Sequence, residues 1–147
     1  MKIVIHYAFT PEQIDAFRAL AARTGGHEVI HVANEAESVA NVSEAEVLLG
    51  WFSKPVCAAA EDLRWIQSFS TGMDHWLFPE IIERDEVKIS NVAGLYASQG
   101  AEHAWALLLA LTRGVLTSWD NQKQKKWGGG ANVELAGSTL GLVGLGG

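Results

Sequence analysis

The last residues of the chain carry the pattern that suggests chemistry most directly. Residues 144–147 read GLGG and follow the apolar run TLGLV at residues 139–143. In dinucleotide-binding folds, the first glycine of G-x-G-x-x-G turns the chain, the second admits a pyrophosphate, and the third allows close helix packing. Gly144 and Gly146 match the first two positions, and the third would fall beyond Gly147. A flexible glycine tail explains this tract equally well when it is taken alone.

A second pattern with catalytic potential lies at residues 27–31, which read HEVIH. In zinc hydrolases the H-E-x-x-H pattern works on a helix, where the two histidines share a metal ion and the glutamate activates water. Here two glycines precede the pattern, and Val29 and Ile30 favour a strand. In a strand, His27 and His31 would stand about 13 Å apart, too far to share one ion. A zinc hydrolase is therefore a remote alternative.

The elements that must position such residues alternate between strands and helices. Short apolar strands are predicted at residues 2–7, 27–32, 47–52, 63–68 and 87–91, with helical segments from residue 11, at 55–60 and at 76–84. Thr10 and Gln13 form a capping box at the start of the first helix. Strands that are apolar throughout and separated by helices predict a doubly wound α/β fold, in which a parallel sheet is covered on both faces.

A long helix is predicted next, over residues 98–127. Ser98 can cap it. Residues 101–116 are apolar nearly all round, which predicts burial between two bodies of protein. The glycines at 128–130 end the helix, and residues 139–143 are predicted to form the first strand of another unit.

Composition limits the classes of partner. The 147 residues contain 11 Lys+Arg and 17 Asp+Glu, giving a net charge of −6. Because no basic run is present, the sequence argues against nucleic acid and an anionic membrane as partners. The apolar stretch at residues 104–111 is far shorter than the ~20 residues that a membrane span needs. The lone Cys57 cannot form an internal disulfide and fits the reducing cytoplasm.

Three segments, in order along the chain, resemble the D-isomer-specific 2-hydroxyacid dehydrogenases. Residues 63–75, LRWIQSFSTGMDH, resemble the substrate loop of that family. Residues 91–94, NVAG, followed by AEHA at 101–104, resemble the start of its interdomain helix. Residues 135–147, LAGSTLGLVGLGG, resemble the segment that opens its nucleotide-binding domain.

The resemblance implies a domain organisation and an activity. Residues 1–97 would form a flavodoxin-like substrate domain, residues 98–127 an interdomain helix that helps to form a homodimer, and residues 131–147 the truncated start of a Rossmann domain. The activity implied is hydride transfer between NAD or NADP and a small 2-keto acid or D-2-hydroxy acid, in the cytoplasm.

The resemblance also implies site residues. The backbone N–H groups of Thr71, Gly72 and Met73 would hold the substrate carboxylate, and glycine lets backbone donors reach an anion. Ser53 would line the same cleft, although its hydroxyl could equally cap a helix. The residues implied for the cofactor are Tyr96, Ser98, Gly144, Gly146 and Gly147, where Ser98 could equally be only an N-cap.

The family's catalytic arginine, glutamate and histidine come later than residue 147 in the family order, and none of the five histidines here matches the catalytic position. The resemblance thus predicts no catalytic residue within these 147 residues. We expect the N-terminal part of an enzyme, with neither keto-acid reductase activity nor appreciable NAD affinity of its own. The alternative from another class is a stand-alone flavodoxin-like ligand-binding module.

Overall fold

The computed structural model describes residues 1–130 and 132–144. The chain divides into two compact units, Met1–Ala93 and Gly94–Gly147. The strands are β1 (Lys2–His6), β2 (Glu28–His31), β3 (Val47–Gly50), β4 (Trp65–Gln67) and β5 (Lys88–Ser90). The helices are α1 (Pro11–Arg23), α2 (Glu35–Asn41), α3 (Lys54–Ala59), α4 (Pro79–Ile82), α5 (Ala97–Thr112) and α6 (Val115–Lys123), with a 3₁₀ turn at Asp74–Trp76.

The first unit is built on one parallel sheet with the strand order β2-β1-β3-β4-β5. Every neighbouring pair is parallel; for example, Val4 pairs with Leu48, and Leu48 pairs with Ile66. This is the flavodoxin-like order, in which the chain reverses direction along the sheet between β1 and β3. The predicted α/β class with a parallel sheet is confirmed.

The core of this unit lies on the central strands. Val4, Leu48 and Ile66 are all fully buried, as is Trp76 of the 3₁₀ turn. Cys57 of α3 belongs to the same cluster. Strands buried on both faces need apolar residues at successive positions, which is why the sequence showed unbroken apolar runs there.

Local signals explain how the helices of the first unit begin. Thr10 forms the predicted capping box: its hydroxyl accepts from the Gln13 N–H at 3.3 Å, and the Gln13 side-chain oxygen accepts from the Thr10 N–H at 2.9 Å. The helix α2 was not predicted, because its seven residues, EAESVAN, carry little apolar periodicity. The single helix predicted at 76–84 is instead the 3₁₀ turn followed by α4, which begins at Pro79.

The second unit corrects the prediction of one helix over residues 98–127. The structure has two helices, α5 and α6, separated at Gly114, whose φ of 60° lies in the left-handed region. A β-carbon at Gly114 would lie 2.9 Å from the Cα of Gly130, so the two backbones meet closely. Within this chain α5 contains no buried residue, and the burial of residues 101–116 between two bodies of protein stays a prediction.

The strand predicted at residues 139–143 is also not formed. A strand is stable only when its backbone hydrogen-bonds to a neighbouring strand. No strand occurs in the second unit within its described residues, so this run has nothing to pair with there. Across residues 1–130 and 132–144, no helix is long and apolar enough to span a membrane.

Candidate functional site

The candidate site is the loop at residues 68–73, which leaves the carboxyl end of β4 and leads into the 3₁₀ turn. In open parallel sheets, ligands bind outside the carboxyl ends of the strands. The neighbouring strands β3 and β5 end at the same edge, so the segments after them flank the loop. The sheet therefore presents this loop where a ligand is expected.

Hydroxyl and amide side chains hold the loop in shape. The hydroxyl of the buried Ser68 accepts a hydrogen bond from the Ser70 N–H at 3.1 Å, and the Ser70 hydroxyl accepts one from the Gly72 N–H at 3.2 Å. From the segment after β5, Asn91 donates its side-chain amide to the Thr71 carbonyl at 2.8 Å. Each bond fixes a backbone group next to the proposed donors.

Among the loop's backbone N–H groups, those of Phe69, Thr71 and Met73 have no acceptor in the described part of the chain, and the two that flank Gly72 are the candidate donors. The Gly72 N–H, by contrast, is already bonded to Ser70. Two free N–H groups on either side of a glycine suit the two oxygens of a carboxylate.

The loop offers backbone hydrogen-bonding groups and neither an acid nor a base. Residues 69–73, FSTGM, contain no ionisable side chain, so the loop cannot transfer protons. The residue that follows the loop, Asp74, is acidic, and its carboxylate oxygen would lie 3.2 Å from a β-carbon at Gly72. The loop contains no cationic side chain, so an anion bound to it would have to be held by backbone N–H groups.

The clearly shifted pKa values belong to other parts of the molecule. Burial raises the pKa of the Cys57 thiol to about 12. The hydrogen bond from Lys54 lowers the pKa of Glu80, and the one from Arg84 lowers the pKa of Glu86. The pKa of Glu12 is lowered by its hydrogen bond from the Thr10 side chain. These groups stabilise helices and loops of the sheet domain.

The chain resembles known dehydrogenases in sequence and in fold. No protein-family model matches the chain. The chain is 30% identical over 120 residues to a curated glyoxylate reductase from Thermofilum pendens (strain DSM 2475 / Hrk 5), covering 75% of this chain and 35% of that protein. It superposes with a TM-score of 0.71 on a D-isomer specific 2-hydroxyacid dehydrogenase family protein from Aeromonas salmonicida subsp. salmonicida A449. The predicted resemblance to the D-isomer-specific 2-hydroxyacid dehydrogenases is confirmed.

The structural matches to these dehydrogenases are similar in extent. The Aeromonas protein is 22% identical, and the match covers 91% of this chain and 42% of that one. An NADPH-dependent glyoxylate/hydroxypyruvate reductase from Sinorhizobium meliloti, solved with NADP and sulfate, gives a TM-score of 0.68 at 23% identity, covering 92% and 42%. This chain therefore spans about a third of the length of the curated relative that it matches.

Ser53, implied by the dehydrogenase resemblance to line the substrate cleft, bonds elsewhere. It occupies the N-cap position of α3, but its hydroxyl makes no capping hydrogen bond. Instead it donates to the carboxylate of Glu35 in α2. The structure therefore places the Ser53 hydroxyl in a contact between two helices of the sheet domain.

The residues implied for the dehydrogenase cofactor lie in the second unit. Tyr96 is the N-cap residue of α5, and Ser98 follows inside the first turn, so the prediction that Ser98 is the N-cap is wrong. The helix starts at Ala97, two residues earlier than an N-cap at Ser98 would allow, and no side chain caps it. Gly144 has a φ of 98°, while Gly146 and Gly147 lie outside the described residues.

One feature beside the dehydrogenase-like loop was not predicted from sequence. The rings of Trp51, just after β3, and His75, just after the loop, lie 4.4 Å apart at an interplanar angle of 30°. Trp51 is also tied to the end of β1, because its N–H donates to the His6 carbonyl at 3.1 Å and its carbonyl accepts from His6 Nδ1 at 2.7 Å. The only signal in the sequence was a tryptophan in one predicted strand and a histidine shortly after the next.

A cleft of 580 Å³ lies at the carboxyl ends of β1, β2 and β3, at the point where the chain reverses along the sheet. His6, Tyr7, His31 and Trp51 are among the residues that line it. His31 Nε2 donates to the Tyr7 carbonyl at 2.9 Å. The cleft is the switch-point crevice of a flavodoxin-like sheet, and it lies at the same edge of the sheet as the loop at residues 68–73.

The zinc-hydrolase alternative is wrong. The residues from Glu28 to His31 form the strand β2, so the helical spacing that a shared metal ion requires is absent. Nowhere in residues 1–130 and 132–144 do three histidine, cysteine or acidic side chains gather as a metal site.

Proposed function

We propose that the unit Met1–Ala93 is the substrate domain of an NAD(P)-dependent oxidoreductase that acts on a small 2-keto acid or D-2-hydroxy acid. The observation that carries the proposal is the pair of free N–H donors at Thr71 and Met73, on a loop at the carboxyl edge of the sheet. The likeness to the Thermofilum glyoxylate reductase supports a substrate as small as glyoxylate.

In this proposal the loop fixes the substrate through its carboxylate. Two donors spaced by one residue bind both oxygens and thereby set the direction of the neighbouring keto carbon. The loop contributes no acid or base, so proton transfer falls to groups elsewhere in the whole protein. The chain therefore supplies binding and orientation.

NAD or NADP is the proposed cofactor of the whole protein, where it would supply or accept the hydride. One residue of the proposed phosphate-binding turn can be tested against this structure. Gly144 has a φ of 98°, a conformation that favours glycine and suits the first position of such a turn. Tyr96, Ser98, Gly146 and Gly147 remain predictions for the rest of the cofactor site.

The binding proposal is tested on the 147-residue chain, labelled with ¹⁵N, by titration with glyoxylate. We expect the largest amide shifts at Thr71 and Met73, because their free N–H groups would contact the carboxylate, and a smaller shift at Gly72, whose N–H is bonded to Ser70. Pyruvate and pyruvamide form a matched pair of ligands that differ in the carboxylate alone. Pyruvate should reproduce the shifts, and pyruvamide should not.

Two outcomes would contradict the proposal. Equal shifts with pyruvate and pyruvamide would mean that the loop does not recognise a carboxylate. Shifts confined to His6, Tyr7 and His31 would place the ligand in the switch-point cleft. That second result would favour the alternative of a stand-alone flavodoxin-like binding module.

We also propose that the protein is a cytoplasmic homodimer in which α5 takes part. The helix has no buried residue, and it exposes Trp105, Leu107, Leu109 and Leu111. Apolar surface on this scale is typical of an interface. Sedimentation velocity on the chain should give a dimer whose affinity falls when Leu109 is replaced by Glu. A monomer at all concentrations would refute the homodimer.

The proposed location in the cytoplasm is supported by the single buried Cys57, which suits a reducing compartment.

A further inference from the structure

The two halves of the loop at residues 68–73 are held in different ways. Its first half is fixed by hydrogen bonds through Ser68, Ser70 and Asn91. In its second half, the Met73 carbonyl accepts from the Trp76 N–H at 2.9 Å, at the start of the 3₁₀ turn. The position of the Met73 donor therefore depends on how this turn is held.

The turn is held by ring packing around His75. One neighbour is Trp76, fully buried in the core, at a centroid distance of 5.1 Å. The other is Trp51, at 4.4 Å. Offset or tilted ring pairs at such distances are favourable. His75 thus lies between a core side chain and the end of β3.

Trp51 is a fixed partner because its backbone is bonded twice to His6. The Trp51 N–H donates to the His6 carbonyl at 3.1 Å, and His6 Nδ1 donates to the Trp51 carbonyl at 2.7 Å. These bonds join β3 to β1 where the two strands end. Whatever packs on the Trp51 ring is therefore held against the centre of the sheet.

The His75 ring contributes packing and not a hydrogen bond at its Nε2 atom. That atom is buried and has no hydrogen-bond partner among the residues that the structure describes. A ring nitrogen left in this way adds nothing to the contact and costs free energy. The aromatic ring itself is what the site uses.

We infer that His75 is a positioning residue that sets the Met73 donor of the substrate loop by stacking on Trp51. This inference rests on the proposed function, in which that donor binds the substrate carboxylate. It predicts that residue 75 must carry an aromatic ring, and that a phenyl ring serves as well as an imidazole.

The test compares His75→Ala with His75→Phe in the ¹⁵N-labelled chain. Without a ring, the order parameters of the Thr71 and Met73 amides should fall from about 0.85 to below about 0.6. The Kd for glyoxylate should rise about threefold to tenfold, the range expected for loss of one ring pair. His75→Phe should keep both quantities within about twofold of the original chain.

Two further variants separate positioning from general destabilisation. Trp51→Ala removes the other partner of the stack from an exposed position and should loosen the same two amides. His27→Ala removes a histidine that precedes β2, at the opposite edge of the sheet, and should change neither quantity. Amides of Leu48 and Ile66 in the core strands should keep their order parameters in every variant.

Failure of the inference about His75 can be distinguished from failure of the proposed function. If glyoxylate shifts no amide of the original chain, the proposed function fails, while the order parameters still decide the role of His75. If His75→Ala leaves the loop rigid, or if His75→Phe loosens it as much as alanine does, the inference is overturned. If His75→Ala does not fold, Trp51→Ala decides in its place.

Discussion

A β-carbon at Gly50 would lie 2.1 Å from the main-chain oxygen of His6, its partner across the β1–β3 pair. No side chain fits in that space, and Gly50 has a φ of 120°, a conformation that favours glycine. This close approach allows the next residue, Trp51, to bond His6 in both directions. The glycine therefore sets the geometry of the switch point from which the Trp51 ring packs on His75.

Replacement of this glycine should be severely destabilising. Gly50→Ala combines a backbone clash with an unfavourable φ, so we expect a loss of more than about 3 kcal/mol in the free energy of unfolding, or failure to fold. Urea denaturation followed by circular dichroism measures the loss. Gly26→Ala is the matched control, because Gly26 also has a positive φ, 66°, but open space around it.

The control separates the two causes. At Gly26 only the left-handed conformation is penalised, which costs about 1–2 kcal/mol. If Gly50→Ala cost no more than Gly26→Ala, the close approach to His6 would be unimportant for stability.

Local signals in the sequence predicted their structures well. The capping box of Thr10 and Gln13 involves residues three apart, and it formed as expected. The parallel sheet was also predictable, because each buried strand has its own apolar run. By contrast, Ser53 was a plausible cap, yet its hydroxyl bonds Glu35. That contact joins two helices that are distant in sequence, and no local pattern encodes it.

The candidate site shows the same difference between local patterns, which were predicted, and contacts between distant residues, which were not. Gly72 marked the loop, but the sequence did not indicate that Ser70 occupies its N–H and leaves those of Thr71 and Met73 free. The Trp51–His75 stack was missed for a related reason, since one ring follows β3 and the other lies in the 3₁₀ turn, far apart in sequence. The run at residues 139–143 has strand composition but gained no strand partner, so composition alone overpredicted it.

The buried Ser68 should support both the stability of the loop and its ability to bind. Ser68→Ala removes the acceptor of the Ser70 N–H, and an unsatisfied donor of this kind costs about 1–3 kcal/mol. We expect that loss in urea denaturation and weaker amide shifts at Thr71 and Met73 with glyoxylate.

Ser98→Ala is the control for that serine. The structure places Ser98 inside the first turn of α5 and not at its N-cap, so its hydroxyl caps nothing. We expect a change within about 0.5 kcal/mol, as for surface substitutions away from special features. A loss of about 1 kcal/mol or more would instead show that Ser98 is a cap after all.

The stability of the protein should depend on an arginine at residue 84. Its Nη1 donates to the Ala60 carbonyl at 2.9 Å, and its Nη2 donates to the carbonyls of Glu61 and Leu63 at 3.0 and 3.2 Å, which fixes the turn before β4. Lysine has one ammonium group and cannot reproduce this fork, so Arg84→Lys should cost about 1–3 kcal/mol. Urea denaturation measures the cost.

The control for this prediction is Arg18→Lys. Arg18 is exposed, and among the residues that the structure describes it pairs with Asp15 alone, at 3.2 Å, one helical turn away. A pair of this kind contributes about 0.3–0.5 kcal/mol, and lysine retains part of it. Equal costs at the two positions would mean that the three carbonyl contacts of Arg84 contribute little.

Cys57 should make the stability of the protein fall in alkali. Burial raises the pKa of its thiol from 9.0 to about 12, although the charge of Arg84 acts in the opposite direction. Between these two values the unfolded chain has lost the thiol proton while the folded chain keeps it. Rising pH therefore favours unfolding, and the contribution of Cys57 decreases by about 1.4 kcal/mol per pH unit in that window.

Cys57→Ala isolates this contribution from lysine and tyrosine titration, which both chains share. The difference in free energy of unfolding between the original chain and the variant should be constant up to pH 9 and then shrink as the pH rises towards 12. The folded chain should also resist thiol reagents at pH 8, because Cys57 is fully buried. A difference that stays constant throughout the window would show that the thiol ionises as readily in the folded chain as in the unfolded one.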